Sequence, residues 1–247
     1  MAEPVASASS TAPSDRVEPP LPQLRFRLPG EWWPVPLTDP TALEESLRGL
    51  ARRKIGPQDD RAVLRAQLRE RTRAAALAAR DGGGVMTYLA LEIVEDAPLP
   101  TSFTVFLPEQ RLTPVLGTGP DAVVDLIEQG LRSLGVNGIE SAERLDTPVT
   151  QGLRIHRTLV TPLAESDRPA GSVPDEVPWA AEERRTLVAD YWLAVPGRRR
   201  FVLVTFSTPL VPLQDVMLGL FDSIVQAAYW AEAPSAASAD AETTVVT

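Results

Sequence analysis

The sequence predicts an α+β fold: a mainly antiparallel sheet with helices on both faces, an α-β-α sandwich. Three observations lead there. Strand-like segments follow one another through short turns, which makes them antiparallel neighbours. Two of these segments, residues 85–94 and 201–206, are apolar on both parities, so both sides of the sheet need cover. Helical patterns able to supply that cover stand before, between and after them.

The chain ends come first, because they set the limits of the folded part. Residues 1–22 are Ala, Ser, Pro and acid with almost no large apolar side chain, and residues 232–247 repeat that composition. Such segments cannot bury enough surface to offset chain entropy, so both read as disordered tails. Residues 23–231 read as a single α+β domain.

That domain opens on Leu24, Phe26 and Leu28, a period-two alternation that fits a half-buried strand. Pro29-Gly30 breaks it, and residues 32–35 follow as a second short strand or loop. Residues 41–81 form a helical segment, interrupted at Gly56-Pro57 and stopped at Gly82-Gly83-Gly84. Strands follow at 85–94 and 102–107. Gly119-Pro120-Asp121 then opens a helix with Val123, Ile127, Leu131 and Leu134 on one stripe and Gly135 just past its end.

A weaker strand is expected near 139–145 and a clearer one at 153–160, with a Pro/Asp/Glu-rich loop at 162–180. Residues 187–195 and 201–207 flank Pro196-Gly197-Arg198-Arg199-Arg200, a β-hairpin with a basic tip. The last element is a helix over 213–230, its apolar face made of Leu213, Val216, Met217, Leu220, Ile224 and Ala228.

Composition narrows the chemistry. The chain has no cysteine, which excludes disulfides, thiolate catalysis and Cys-based metal sites. It has one histidine, so the usual His/Cys zinc sites cannot be built. No segment marks a cofactor site. Net charge is −9, which argues against a general affinity for nucleic acid or anionic lipid. The N-terminus lacks a cationic region followed by an apolar one, and the expected compartment is the cytoplasm. One lysine beside many arginines, with abundant Ala and Pro, suggests a bacterial, GC-rich coding sequence.

Candidate sites are few. His156 lies in a strand between Arg154 and Thr158 and is expected at the surface or a helix edge. Gly82-Gly83-Gly84 follows a helix and precedes a strand, the reverse of a phosphate loop, and reads as a helix stop. Glu92 and Asp190 interrupt apolar strands, where an acid is costly unless paired and is therefore a functional candidate. Asp215 reads as a first-turn helix acid.

The feature with most physical content is the basic helical segment. Between residues 48 and 80 stand ten cations against three acids, +7 within a chain of −9. Arg61, Arg65, Arg69 and Arg73 recur every fourth residue and so share one helix face, suited to docking an acidic protein segment or a phosphate-rich ligand. A solvated surface is the plainer reading of the same stripe.

At its two ends the pattern resembles the PsbP-like fold. One end is an opening strand followed by Pro and Trp, over 26–33; the other is a closing hairpin, 201–207, running into an amphipathic helix that ends in an aromatic, 221–230. That resemblance implies an α-β-α sandwich whose relatives mostly bind other proteins, and it assigns no functional residue. The functional expectation is a non-catalytic protein-binding module (an adaptor, chaperone or accessory factor) for another protein with an acidic segment. Two alternatives stay open: a small-molecule hydrolase or isomerase using buried carboxylates, and polyanion binding through the arginine-rich helix.

Overall fold

The computed structural model describes residues 21–93, 99–108, 119–134, 141–162 and 183–232. In chain order the elements are β1 (Gln23–Arg25), β2 (Glu31–Pro36), α1 (Pro40–Ile55), α2 (Ala62–Asp81), β3 (Gly84–Glu92), β4 (Ser102–Phe106), α3 (Pro120–Leu134), β5 (Ser141–Asp146), β6 (Gln151–Pro162), β7 (Glu183–Ala194), β8 (Phe201–Thr208), α4 (Gln214–Gln226) and β9 (Tyr229–Ala231). The main sheet has seven strands in the order β2-β3-β4-β8-β7-β6-β5, and every pairing in it is antiparallel. A two-stranded sheet joins β1 and β9. The chain divides into two units, of which the first is Arg25–Tyr229. The sheet and helices described below belong to the first.

Each face of the sheet carries its own core. On one face Tyr88, Phe103 and Phe206 are register neighbours across β3, β4 and β8, and their rings touch in sequence at 4.6 and 4.8 Å between centroids. Phe221 of α4 stacks on Phe206 at 4.5 Å, which seats that helix here. The other face is covered twice. Val123, Val124 and Ile127 of α3 pack on Leu153, Ile155, Ala194 and Phe201. Leu43 and Leu47 of α1 and Ala76 of α2 pack with Val35 and Leu37, with Trp33 and Leu89 against them. Helices on both faces are therefore the observed arrangement.

Local chemistry explains the hairpin of α1 and α2. The Asp39 carboxylate caps α1, accepting from Thr41 N at 2.8 Å and Ala42 N at 3.2 Å, and Pro40 fills the first helical position. Trp33 of β2 lies against Gly49, where a Cβ would stand 2.7 Å from the indole, and donates from Nε1 to Ser46 Oγ at 2.9 Å. The break at Gly56-Pro57 turns the chain back, and Glu44 of α1 meets Arg73 of α2 in an ion pair. The expected helical segment is thus two antiparallel helices joined by a 3-10 turn, Asp59–Arg61. Edge strands are blunted: β2 carries Pro34 and Pro36, and β5 carries Glu143 and Arg144.

Three expectations at the ends of the domain change. The opening alternation gives only the short β1, because Phe26 leaves the strand to pack edge-on against Phe103 at 5.0 Å. The last helix begins at Gln214, after a 3-10 turn, and ends at Gln226; Tyr229 and Trp230 are extended in β9. Its buried face is Met217, Leu218, Phe221, Ile224 and Val225, whereas Leu213 is 51% and Val216 68% exposed. The helix is rolled from the apolar stripe because Asp222 turns inward to Arg154 of β6 and Tyr191 of β7. The tails beyond 21–232, the loop 163–182 and Gly135 lie outside the described residues.

Candidate functional site

Among the described residues a cleft of about 840 Å³ lies between the α1–α2 hairpin and the sheet, within the usual range of ligand pockets, about 300–1,000 Å³. Leu50 and Ile55 of α1 and Leu68 of α2 form its apolar wall, with Leu89 of β3 and Pro209 opposite. Hydroxyl side chains line it at Thr72, Thr101, Ser102, Thr186, Ser207 and Thr208, and Lys54 lines it as well. None of the described lining residues is acidic.

Strand register makes the hydroxyl floor. Leu89, Ser102 and Ser207 stand side by side across β3, β4 and β8 and line the cleft, while the neighbouring row of Thr87, Thr104, Thr205 and Asp190 lies outside its lining. Within these rows Thr87 and Thr104 share a hydrogen bond of 2.9 Å, and Ser102 and Ser207 one of 3.0 Å. The hairpin covers β2 and β3 and α3 covers β6 and β7, so the cleft opens over the seam left between them. Small polar side chains suit that seam, since a half-wet strip of sheet has no apolar partner to reward larger ones.

Asp190 is 6% exposed and fully engaged: Oδ1 accepts from Thr205 Oγ1 at 2.7 Å, and Oδ2 from Arg157 Nη1 at 2.6 Å. Both oxygens are engaged and the charge is paired with Arg157, so this carboxylate ties β6, β7 and β8 together. Glu92 stands at the end of β3, opposite Glu31 in register and within the field of Arg53, away from the cleft. The Arg53 guanidinium hydrogen-bonded to Glu31 holds that carboxyl below its usual value. Asp215 is an exposed first-turn acid of α4, as expected.

Of its two expected positions, the surface or a helix edge, His156 takes the second. It is 7% exposed, with Nε2 at 3.4 Å from the Gln214 amide where α4 begins. Its strand neighbours looked polar because Arg154 is buried too, with Asp222 and Glu143 on its two terminal nitrogens. Alternation could not reveal that a face bearing Arg154 and His156 would lie beneath a helix. Gly82-Gly83-Gly84 is the helix stop and strand start it was read as, with Gly83 at φ +86°.

The four arginines do share one side of α2, but the helix turns that side toward α1. Arg73 pairs with Glu44; Arg65 donates to the carbonyls of Gly56 and Gln58 at 2.8 and 2.6 Å; Arg61 donates to Ile55 O at 3.1 Å. Arg61 and Arg65 therefore close the C-terminal end of α1 and its loop, where a cation meets the negative end of the helix dipole. Arg69 lies half-buried between them.

Among the described residues no helix is long and apolar enough to cross a membrane, and no three His, Asp or Glu side chains cluster as metal ligands. No family model, curated protein or solved structure matches this chain.

Proposed function

We propose that this chain is a non-catalytic, cytoplasmic bacterial binding module, and that the cleft beside the α1–α2 hairpin receives a segment of a partner protein. The observation that carries this reading is the chemistry of the cleft. Leu50, Ile55 and Leu68 offer apolar contact, serine and threonine hydroxyls offer hydrogen bonds, and Lys54 offers one positive charge. Such a lining holds a ligand by shape and a few polar anchors. The carboxylates that could activate water are elsewhere and engaged, Asp190 by Arg157 and Asp222 by Arg154. With both sheet edges blunted, a cleft is also the more accessible route to a partner than strand addition. A PsbP-like relationship would lead to a binding role by analogy.

Affinity purification with the parent chain and with Leu68→Trp, which fills the cleft from α2, tests this. A protein recovered by the first and lost by the second, then shown as a purified component to bind only the parent, supports the reading. Equal capture by both would remove the cleft from it.

A further inference from the structure

The outer seam between α1 and α2 carries Arg48, Arg52 and Arg69, none of which forms an ion pair with a described carboxylate. The two helices run antiparallel, and Glu44 faces Arg73 across them. One turn further along α1 is Arg48, and one turn back along α2 is Arg69; the next pair is Arg52 and Arg65. Helical register thus sets one rung of opposite charge beside two rungs of like charge.

The like-charged rungs differ from an ordinary solvated surface. Arg69 has its Nε enclosed with no hydrogen-bond partner among the described residues. Among the described residues Arg65 donates to the backbone carbonyls of Gly56 and Gln58, which supply dipoles and no countercharge. Arg48 and Arg52 are exposed, and neither pairs with a described carboxylate. Like charges one turn apart on a helix are unfavourable, and Arg48 with Arg52 and Arg65 with Arg69 are each such a pair.

We infer that this seam docks an acidic segment of a partner protein, its carboxylates lying over Arg48, Arg69 and Arg52. Guanidinium forks match carboxylates in geometry as well as charge. Protein is favoured over nucleic acid because the whole chain carries −9, which repels a long polyanion beyond the seam. The surface is not the sequence stripe: Arg61 and Arg73 are committed within the hairpin, and Arg48 and Arg52 of the other helix take their place. It is also separate from the cleft.

The test is fluorescence anisotropy with a labelled oligoglutamate, with oligoglutamine and oligothymidylate of equal length as comparisons. Oligoglutamate is expected to bind at low salt and to be released at high salt. Arg48→Gln with Arg69→Gln should weaken it about fivefold or more, the range of two lost ion pairs. Arg48→Lys with Arg69→Lys should keep most of the binding, and Arg71→Gln, on the opposite face of α2, all of it. Leu68→Trp should leave it unchanged, which separates this surface from the cleft. If removing Arg69 unfolds the hairpin by circular dichroism, Arg48→Gln with Arg52→Gln, both exposed, makes the same comparison. Unchanged oligoglutamate binding in the charge-removing variants, or a preference for oligothymidylate, overturns the inference.

Discussion

Arg154 of β6 and Asp222 of α4 form an ion pair of 2.5 Å, with the arginine side chain only 7% exposed. The same guanidinium donates to Glu143 of β5 at 2.6 Å, and Asp222 also accepts from the Tyr191 hydroxyl at 2.8 Å. Four elements thus meet at one buried cation, and α4 is fastened to the sheet by charge as well as by Phe221.

Removing one partner should be costly. In Asp222→Ala, Arg154 keeps only Glu143, which is 55% exposed, and Tyr191 loses its acceptor. The expected loss is about 3 kcal/mol by urea denaturation. Arg154→Met combined with Asp222→Leu should recover most of it, since an apolar pair replaces a desolvated charge. A loss well under about 1 kcal/mol in the single variant, as for surface positions, would show that the pair is not sealed from water.

Alkaline stability should follow the tyrosines. Burial, and then the neighbouring Asp222 charge, pushes the Tyr191 hydroxyl far above its ordinary value; burial raises Tyr88 as well. The unfolded chain releases these protons near pH 10 while the folded chain retains them, so stability is fully present below about pH 10 and is lost as pH rises beyond it. Absorbance titration at alkaline pH should show Tyr191 and Tyr88 ionising late, together with unfolding. Early ionisation of Tyr191 and Tyr88 in a folded protein would contradict this.

Alanine substitutions along α4 should separate its two sides. Phe221 and Ile224 are 0% and 1% exposed, and truncating each should cost about 2–5 kcal/mol. Val216→Ala, at a position 68% exposed, should change stability by less than about 0.5 kcal/mol. Equal costs at Val216 and Ile224 would mean that the helix sits in the orientation its apolar stripe first suggests.

Gly30 should resist substitution. It has φ +70°, and a Cβ there would stand 2.3 Å from Glu92 O across the β2–β3 pair. Gly30→Ala therefore combines left-handed strain with a backbone clash and should cost more than about 1 kcal/mol, read as a lowered urea midpoint. Gly83→Ala, with φ +86° but open space around it, should cost less.

The elements themselves were legible in the sequence wherever the signal is local. Val123, Ile127 and Leu131 mark α3 by spacing alone, and Gly82-Gly83-Gly84 stops α2 through turn chemistry. The two-sided apolar strands β3 and β8 implied a sandwich because a strand of that kind has no face fit for water. These properties belong to neighbours along the chain, which fold into the same local geometry wherever they are placed.

Tertiary structure decided what each face meets. Spacing put Arg61, Arg65, Arg69 and Arg73 on one side of α2 but could not say that this side turns toward α1, where Glu44 and the Gly56 and Gln58 carbonyls wait. In the same way Asp222 rolled α4 away from its apolar stripe, because an enclosed Arg154 outweighs the exposure of Val216. The cleft joins Leu50, Leu68, Ser102 and Ser207, residues with no periodic relation in the chain. Periodicity encodes which side chains share a face. Their partners are chosen only when distant segments close on one another, since desolvation and charge pairing act through space.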